Sequence, residues 1–337
     1  MGCYRPQMDL MLHTELPHPP FTLSHSQRVL LMGSCFADSI GGRLQRDKFA
    51  CLVNPFGTLY NPAAMAAHLF RCVSRRPYST ADVWQGADGL WRSWMHHGSF
   101  TADSAEELTA RLNATLEQAA QWLAVTDVLI VTMGTSVVYR LHESGSLVAN
   151  CHRQPDALFL RERLAAVDIV DTWTTLLQLL RSVRPELQVV LTVSPVRHKR
   201  DGLHGNQLSK AELLLACDAL CRQMPEAVTY FPAFELLTDE LRDYRFYAPD
   251  MVHPTEQAAD YIYDRFRQCF ISETEERISA QCRAVAEALA HRPFRPDGEE
   301  YQQLLRQQMA HIRQLTEEYP WIDFTEETEL CLTRLRK

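Results

Sequence analysis

Val29-Leu30-Leu31-Met32-Gly33-Ser34-Cys35-Phe36-Ala37 is the stretch whose reading decides the fold. An apolar run passes without a polar break into a glycine, and a helical pattern begins almost at once. A continuous run of this kind suits a strand buried on both faces, as in a parallel sheet. Glycine lets the backbone turn sharply. Ser34 and Cys35 then fall at or near a helix N-terminus, where unpaired N–H groups and the positive dipole end face them. A thiol there is expected to have a lowered pKa, and an oxyanion formed there would meet backbone donors. The same pattern also describes a serine cap followed by a buried cysteine.

Further runs repeat the pattern outward from this one: Ala50-Cys51-Leu52-Val53, Val128-Leu129-Ile130-Val131-Thr132, Val189-Val190-Leu191-Thr192-Val193 and Ala227-Val228-Thr229-Tyr230-Phe231. Between them, residues 36–46, 61–74, 104–122, 161–184 and 208–223 carry apolar residues at helical spacing. Strand–helix alternation of this kind predicts an α/β, doubly wound, mainly parallel five-stranded sheet with helices on both faces. In such a sheet, ligands bind beyond the carboxyl ends of the strands. The segments to inspect are therefore Gly33-Ser34-Cys35, Asn54-Pro55-Phe56-Gly57, Met133-Gly134-Thr135-Ser136, Ser194-Pro195-Val196-Arg197 and Pro232-Ala233-Phe234-Glu235.

The bulk numbers narrow the function. The chain has 337 residues, 46% hydrophobic and 23% charged, as in an ordinary globular protein. A net charge of −8 argues against a nucleic-acid partner and against adhesion to an anionic membrane. No apolar run is long enough to span a bilayer, and Met1–Pro20 lacks a signal peptide's apolar region. Membrane insertion is thus not expected, and a cytoplasmic location is the default. The ten cysteines form no CxxC pair and have no zinc-site spacing. No metal and no cofactor are expected. Residues 1–273 read as the sheet domain, with an inserted loop or hairpin around 80–100 that contains Trp84, Trp91 and Trp94. Residues 274–337 read as a helical extension, periodic through Ile278–Ala290 and Tyr301–Glu318, with a loop at His291–Pro296 between.

A second constellation is Asp250-Met251-Val252-His253-Pro254, placed before a helix expected from about Pro254 to Phe270. This spacing lets the carboxylate reach the imidazole N–H, fix its tautomer and leave His253 free to take a nucleophile's proton. Alternatively, Asp250 caps the helix beside an exposed histidine.

Together the two constellations resemble the SGNH, or GDSL-like, hydrolase superfamily, and most closely its GSCFA family, whose motif stands intact at Gly33–Ala37. The resemblance covers roughly Phe21–Phe270. It implies a flavodoxin-like sheet, with a nucleophile in the turn after the first strand and a late Asp-x-x-His pair. Aligning Gly33-Ser34-Cys35 on Gly-Asp-Ser makes Cys35 the nucleophile, with His253 as base and Asp250 orienting it; Ser34 is the rival nucleophile. The superfamily's oxyanion donors map to Gly57 and Gly134. The Asn that it places after the third strand is absent, and Ser136, Thr135 or Asn150 would have to substitute.

Three more clusters bear on a site. Asn150-Cys151-His152-Arg153 follows a strand pair, Val137–Tyr139 and Leu147–Ala149, and would line an acyl pocket or form a polar loop. Arg197 would bind a substrate carboxylate or phosphate, or be solvated or internally paired. Arg242-Asp243-Tyr244-Arg245 reads as a surface ion-pair patch. The resulting expectation is an acyl hydrolase or acyltransferase acting on a small acylated substrate (an ester, a thioester or an acylated carbohydrate) through a covalent intermediate on Cys35 or Ser34. Two other readings compete with it. One is a non-catalytic carbohydrate- or peptide-binding module that uses Trp84–Trp94. The other is a metal-dependent hydrolase using His96 and His97, whose adjacent side chains would point apart in a strand.

Overall fold

The computed structural model describes residues 11–290, 295 and 298–335. Its strands are β1 Arg28–Gly33, β2 Ala50–Val53, β3 Trp84–Gln85, β4 Trp91–Arg92, β5 Thr101–Ala102, β6 Val128–Met133, β7 Val137–Leu141, β8 Leu147–Val148, β9 Phe159–Arg163, β10 Gln188–Val193 and β11 Val228–Tyr230. Its helices are α1 Cys35–Arg46, α2 Pro62–Ser74, α3 Ala105–Leu123, α4 Ala166–Val183, α5 Gly202–Gln223, the single turn α6 Ala233–Glu235, α7 Glu256–Phe270, α8 Glu273–Ala290, α9 Glu299–Glu318 and α10 Thr325–Arg334.

All five apolar runs became the central sheet, whose order is β11-β10-β6-β1-β2 and whose strands are all parallel. This is the doubly wound α/β architecture expected. Alternation along the strands explains why the runs are apolar on every residue. Leu30, Met32, Leu129 and Val131 join one core with α2, α3, α4 and α5. Val29, Leu31, Val128 and Ile130 join a second core on the other face, with α1 and α7. Strand order reverses between β1 and β6, so the crevice at their carboxyl ends is the place where such sheets bind ligands.

Two small antiparallel sheets are inserted. β3-β4-β5 occupies the region expected around 80–100, and β8-β7-β9 follows β6 directly. The third strand of the latter, β9, lies where the periodicity predicts the start of a helix; pairing from Val137↔Arg163 to Leu141↔Phe159 outcompetes that local pattern. The insertions join through the N–H groups of Ala149 and Asn150, both donating to the Trp94 carbonyl. α5 starts six residues before the expected 208, because its first turn carries Gly202 and Gly205 and reads as loop by propensity.

α8, α9 and α10 share a third core around Ile278, Val285, Leu305, Ile312 and Leu315. The loop expected at His291–Pro296 lies outside the described residues, Arg295 excepted. Among the described residues, no helix is long and apolar enough to cross a membrane.

Candidate active site

Gly33 ends β1 at φ +143°, and a Cβ there would lie 2.2 Å from the Thr132 carbonyl oxygen of β6. Only glycine brings the two strand ends this close. Its N–H donates to Asn54 Oδ1 at 2.8 Å, tying the turn to the end of β2. Ser34 then caps α1. Its Oγ accepts from the Phe36 N–H at 3.3 Å and donates to Ser194 Oγ, beyond β10, at 2.9 Å. Only 1% of Ser34 is exposed, so this hydroxyl is committed to structure. Cys35, the first helical residue, is a free, half-buried thiol. Of the two adjacent candidates, Cys35 is the one solvent reaches.

The electrostatics of this thiol correct the expectation of a lowered pKa. Burial pushes it up, and the Asp38 carboxylate one turn along adds to the rise. The N–H groups of Cys35 and Phe36 and the charge of Lys210 oppose them without prevailing. Asp38 is held in place by Asn54 Nδ2 at 2.7 Å and Thr58 Oγ1 at 3.3 Å. A helix N-terminus lowers a pKa only while it outweighs desolvation and nearby like charge.

The late loop forms the geometry its spacing suggests. Asp250 Oδ2 lies 2.6 Å from His253 Nδ1, while Oδ1 accepts from the N–H groups of Val252 at 2.9 Å and His253 at 3.1 Å. These bonds, His253's first among them, hold the carboxyl well below the usual carboxylate range. The orientation leaves Nε2 as the nitrogen free for chemistry. The segment after β10 braces the loop: the Arg197 N–H donates to the Val252 carbonyl at 3.3 Å, and the Lys199 ammonium bonds the Asp250 carbonyl. α7 begins two residues later than expected, capped by Thr255.

Beneath both lies a polar floor that sequence reasoning missed. Lys210 of α5 is fully buried and donates to the Gly134 carbonyl at 2.6 Å and the Ser194 carbonyl at 2.7 Å, just past the ends of β6 and β10. Burial lowers its pKa to about 7, with the nearby Cys35 working against the fall. One turn earlier, Asn206 Oδ1 accepts from the His198 N–H at 2.9 Å. Ser209 Oγ meets Thr135 Oγ1 at 2.9 Å, Ser136 N–H at 2.8 Å and Ser136 Oγ at 3.2 Å. The signal was present in the sequence: Asn206, Ser209 and Lys210 are spaced i, i+3, i+4, a polar stripe on one helix face.

His198 and Tyr60 complete the cluster, their rings edge to face at 5.6 Å. Burial first, then the charges of Lys210 and His253, lower the His198 pKa to about 4, and its buried Nε2 has no hydrogen-bond partner among the described residues. Burial, then Cys35 and Asp38, raise the Tyr60 pKa. His198 is thus electrically coupled to the histidine loop and to the floor, and Tyr60 and Lys210 to the thiol. Ser194 belongs to a segment singled out in the sequence, where Arg197 drew the interest, and His198 follows it directly.

The expected oxyanion donors need correction. Gly57 N–H donates to the Asn54 carbonyl at 2.8 Å, and Gly134 N–H to the Tyr60 carbonyl at 2.8 Å. Ser136 is bonded inward to Ser209 through both N–H and hydroxyl. Turn and strand-end bonding has consumed all three. The expected substrate-binding residues also separate. Asn150 Oδ1 accepts from the His152 N–H, and His152 Nε2 meets the Ser93 carbonyl at 2.8 Å, with its ring 5.9 Å from Trp84 and 6.0 Å from Trp94. Those contacts tie Asn150 and His152 to the β3-β4-β5 insertion. Arg197 stays at the edge, with its guanidinium 4.2 Å over the Tyr247 ring. Trp84 and Trp94 stack on each other at 4.2 Å, so each has one face covered by the other. His96 is buried with Nδ1 3.0 Å from Ser93 Oγ, whereas His97 Nδ1 meets Ser99 Oγ at 3.1 Å. The adjacent pair thus engages different partners.

Residues 28–266 match the model of the GSCFA family. The chain belongs to this family. Residues 282–337 match the model of the GSCFA domain protein C-terminal domain. A search of curated proteins found no match. Among solved structures the chain is similar to an acetyl xylan esterase from the rumen bacterium Butyrivibrio proteoclasticus, with a TM-score of 0.37 and 14% identity over 73% of this chain and 65% of that one. The chain therefore spans just under two thirds of that structure's length.

Proposed function

We propose that this GSCFA protein is an acyl hydrolase or acyltransferase that works through a thioester on Cys35. His253 Nε2 takes the thiol proton as sulfur attacks the acyl carbonyl of an ester, thioester or acylated sugar. The bond to the alcohol or thiol then breaks, and the imidazolium returns the proton to that leaving group. Water or a second acceptor, deprotonated by the same imidazole, releases the acyl group and regenerates the thiol. Asp250 holds the imidazole tautomer and steadies its charged form. With the predicted donors consumed, the oxyanion is assigned to the N–H of Cys35 at the first turn of α1 and to the hydroxyl of Tyr60.

What supports this proposal is an oriented Asp250–His253 dyad, coupled through His198 to the Lys210 that also acts on Cys35, together with a solvent-reachable Cys35 whose neighbour, the Ser34 hydroxyl, is bound to Ser194. A panel of p-nitrophenyl esters, acyl thioesters and acetylated sugars tests it. Cys35→Ala is expected to lower turnover by roughly a thousandfold or more. Undiminished turnover in that variant removes Cys35 from the reaction.

The committed N–H groups of Gly57, Gly134 and Ser136 favour a second role, binding without turnover. That role predicts an inert panel together with calorimetrically measurable binding of an acylated sugar.

A further inference from the structure

We propose that Lys210 is a positioning residue for Cys35, pinning the ends of β6 and β10 beneath the thiol and supplying the positive charge that favours the thiolate. The proposal rests on Cys35 being the reactive group but on no particular acyl substrate.

The geometry comes first. A lysine buried in full is rare and costly unless its charge is matched. No carboxylate lies within ion-pair distance of Lys210 among the described residues; its acceptors are the carbonyls of Gly134 and Ser194. Both carbonyls sit where the parallel sheet opens to ligand. From Ser194 the connection continues to the turn: its Oγ accepts from Ser34 Oγ at 2.9 Å, and Ser34 caps the helix on which Cys35 is the first residue. From Gly134 it continues to the Tyr60 carbonyl through the Gly134 N–H at 2.8 Å. One cation therefore holds the backbone on two sides of the thiol.

The chemistry of the nitrogen adds to this. With two N–H groups committed to carbonyls, one tetrahedral position remains on Nζ. In the ammonium form it carries a third proton, and in the amine form a lone pair. The two carbonyl bonds survive either way, so Lys210 can change charge without releasing the strand ends.

The groups facing the pair come from several elements. Asp38 of α1 and Tyr60 of the loop after β2 act on Cys35. His198 of the segment after β10 is coupled to Lys210 and to His253, and the Phe234 ring of α6 lies 5.7 Å from Nζ. Asp38 raises the thiol pKa, and Lys210 acts to lower it. The influence is reciprocal, since Cys35 in turn raises the pKa of Lys210, which lies at about 7. Near neutrality the thiol thus faces a charge that is itself titrating.

The test is iodoacetamide alkylation of Cys35 across pH 6–10, followed by mass spectrometry of the Cys35 peptide. In Lys210→Met the alkylation rate is expected to fall by up to about tenfold at about pH 6.5, where Lys210 is mostly charged, and the difference from wild type is expected to shrink above about pH 8, where Lys210 is mostly neutral. A folded Lys210→Met protein with the wild-type profile overturns the proposal. If that variant does not fold, the converse measurement decides. The Lys210 midpoint, followed by NMR of labelled lysine, is expected to fall in Cys35→Ser, and an unmoved midpoint overturns the proposal. Neither measurement uses an acyl substrate. An inert ester panel would sink the acyl-transfer proposal and leave this pairing standing.

Discussion

Two polar regions of this molecule treat their charges in opposite ways. Where the sheet meets α8, buried charges are matched by partners. Asp47, 2% exposed, accepts from Tyr263 Oη at 2.9 Å and Arg283 Nη1 at 2.8 Å. Arg283 also reaches Glu276, which Arg267 bonds as well. His25 lies between Glu275 Oε2 at 2.5 Å and the Asp47 carbonyl at 2.9 Å. At the carboxyl edge of the sheet, by contrast, Lys210 is buried against carbonyls alone, His198 Nε2 is buried without a partner, and Tyr60 Oη makes no hydrogen bond among the described residues. A fully matched buried network is a joint that resists change. A region with unmatched titratable groups has its affinities left over for something else, which is why perturbed groups cluster at functional sites.

The sharpest way to break this comparison is Asp47→Ala. Removing the acceptor strands the Tyr263 hydroxyl and leaves Arg283 with Glu276 alone, so urea unfolding is expected to show a loss of about 3 kcal/mol. The alkylation profile of Cys35 should not move. A shift in that profile would mean that the two regions are not independent.

Acid separates them next. Burial, acting first, holds His68 at about 4, and His198 likewise. Between about 4 and the ordinary histidine value near 6.5 the unfolded chain binds more protons than the folded one, so stability rises with pH. The contribution is complete above about 6.5 and is lost as pH falls through 4. For fully buried His68 it is on the order of 3 kcal/mol. Urea midpoints measured at pH 4.5 and 7 should differ accordingly, and His68→Gln should flatten the dependence. An unchanged slope in that variant would remove His68 as its source.

The smallest effect comes from neighbours within the edge itself. Ser34→Ala removes a helix cap and is expected to cost about 1 kcal/mol in thermal unfolding, with ester turnover retained. Abolished turnover in a folded Ser34→Ala protein would return the nucleophile to Ser34.

Much of this was legible in the chain before any coordinates. The five apolar runs became the five central strands, and Asp250 bonded His253 as the spacing suggested. β9 was hidden because an exposed antiparallel strand carries charged residues, here Arg161, Glu162 and Arg163, that also suit a helix. The bonds made by the N–H groups of Gly57, Gly134 and Ser136 were not legible, because the acceptor of an N–H group depends on which oxygen approaches it, and no residue identity encodes that.

The sequence by itself determined the parallel sheet, the turn at Gly33 and the Asp–His dyad. Each follows from residues close together in the chain: apolar continuity, a glycine between a strand and a helix, and a carboxylate three positions from an imidazole. Tertiary structure alone decided which of Ser34 and Cys35 stays reachable and what charge lies beneath it. Those outcomes rest on a hydroxyl bond spanning 160 positions to Ser194 and an ammonium bond spanning 76 to Gly134. Hydrogen bonds and burial between such distant residues exist only after the strands have been laid side by side.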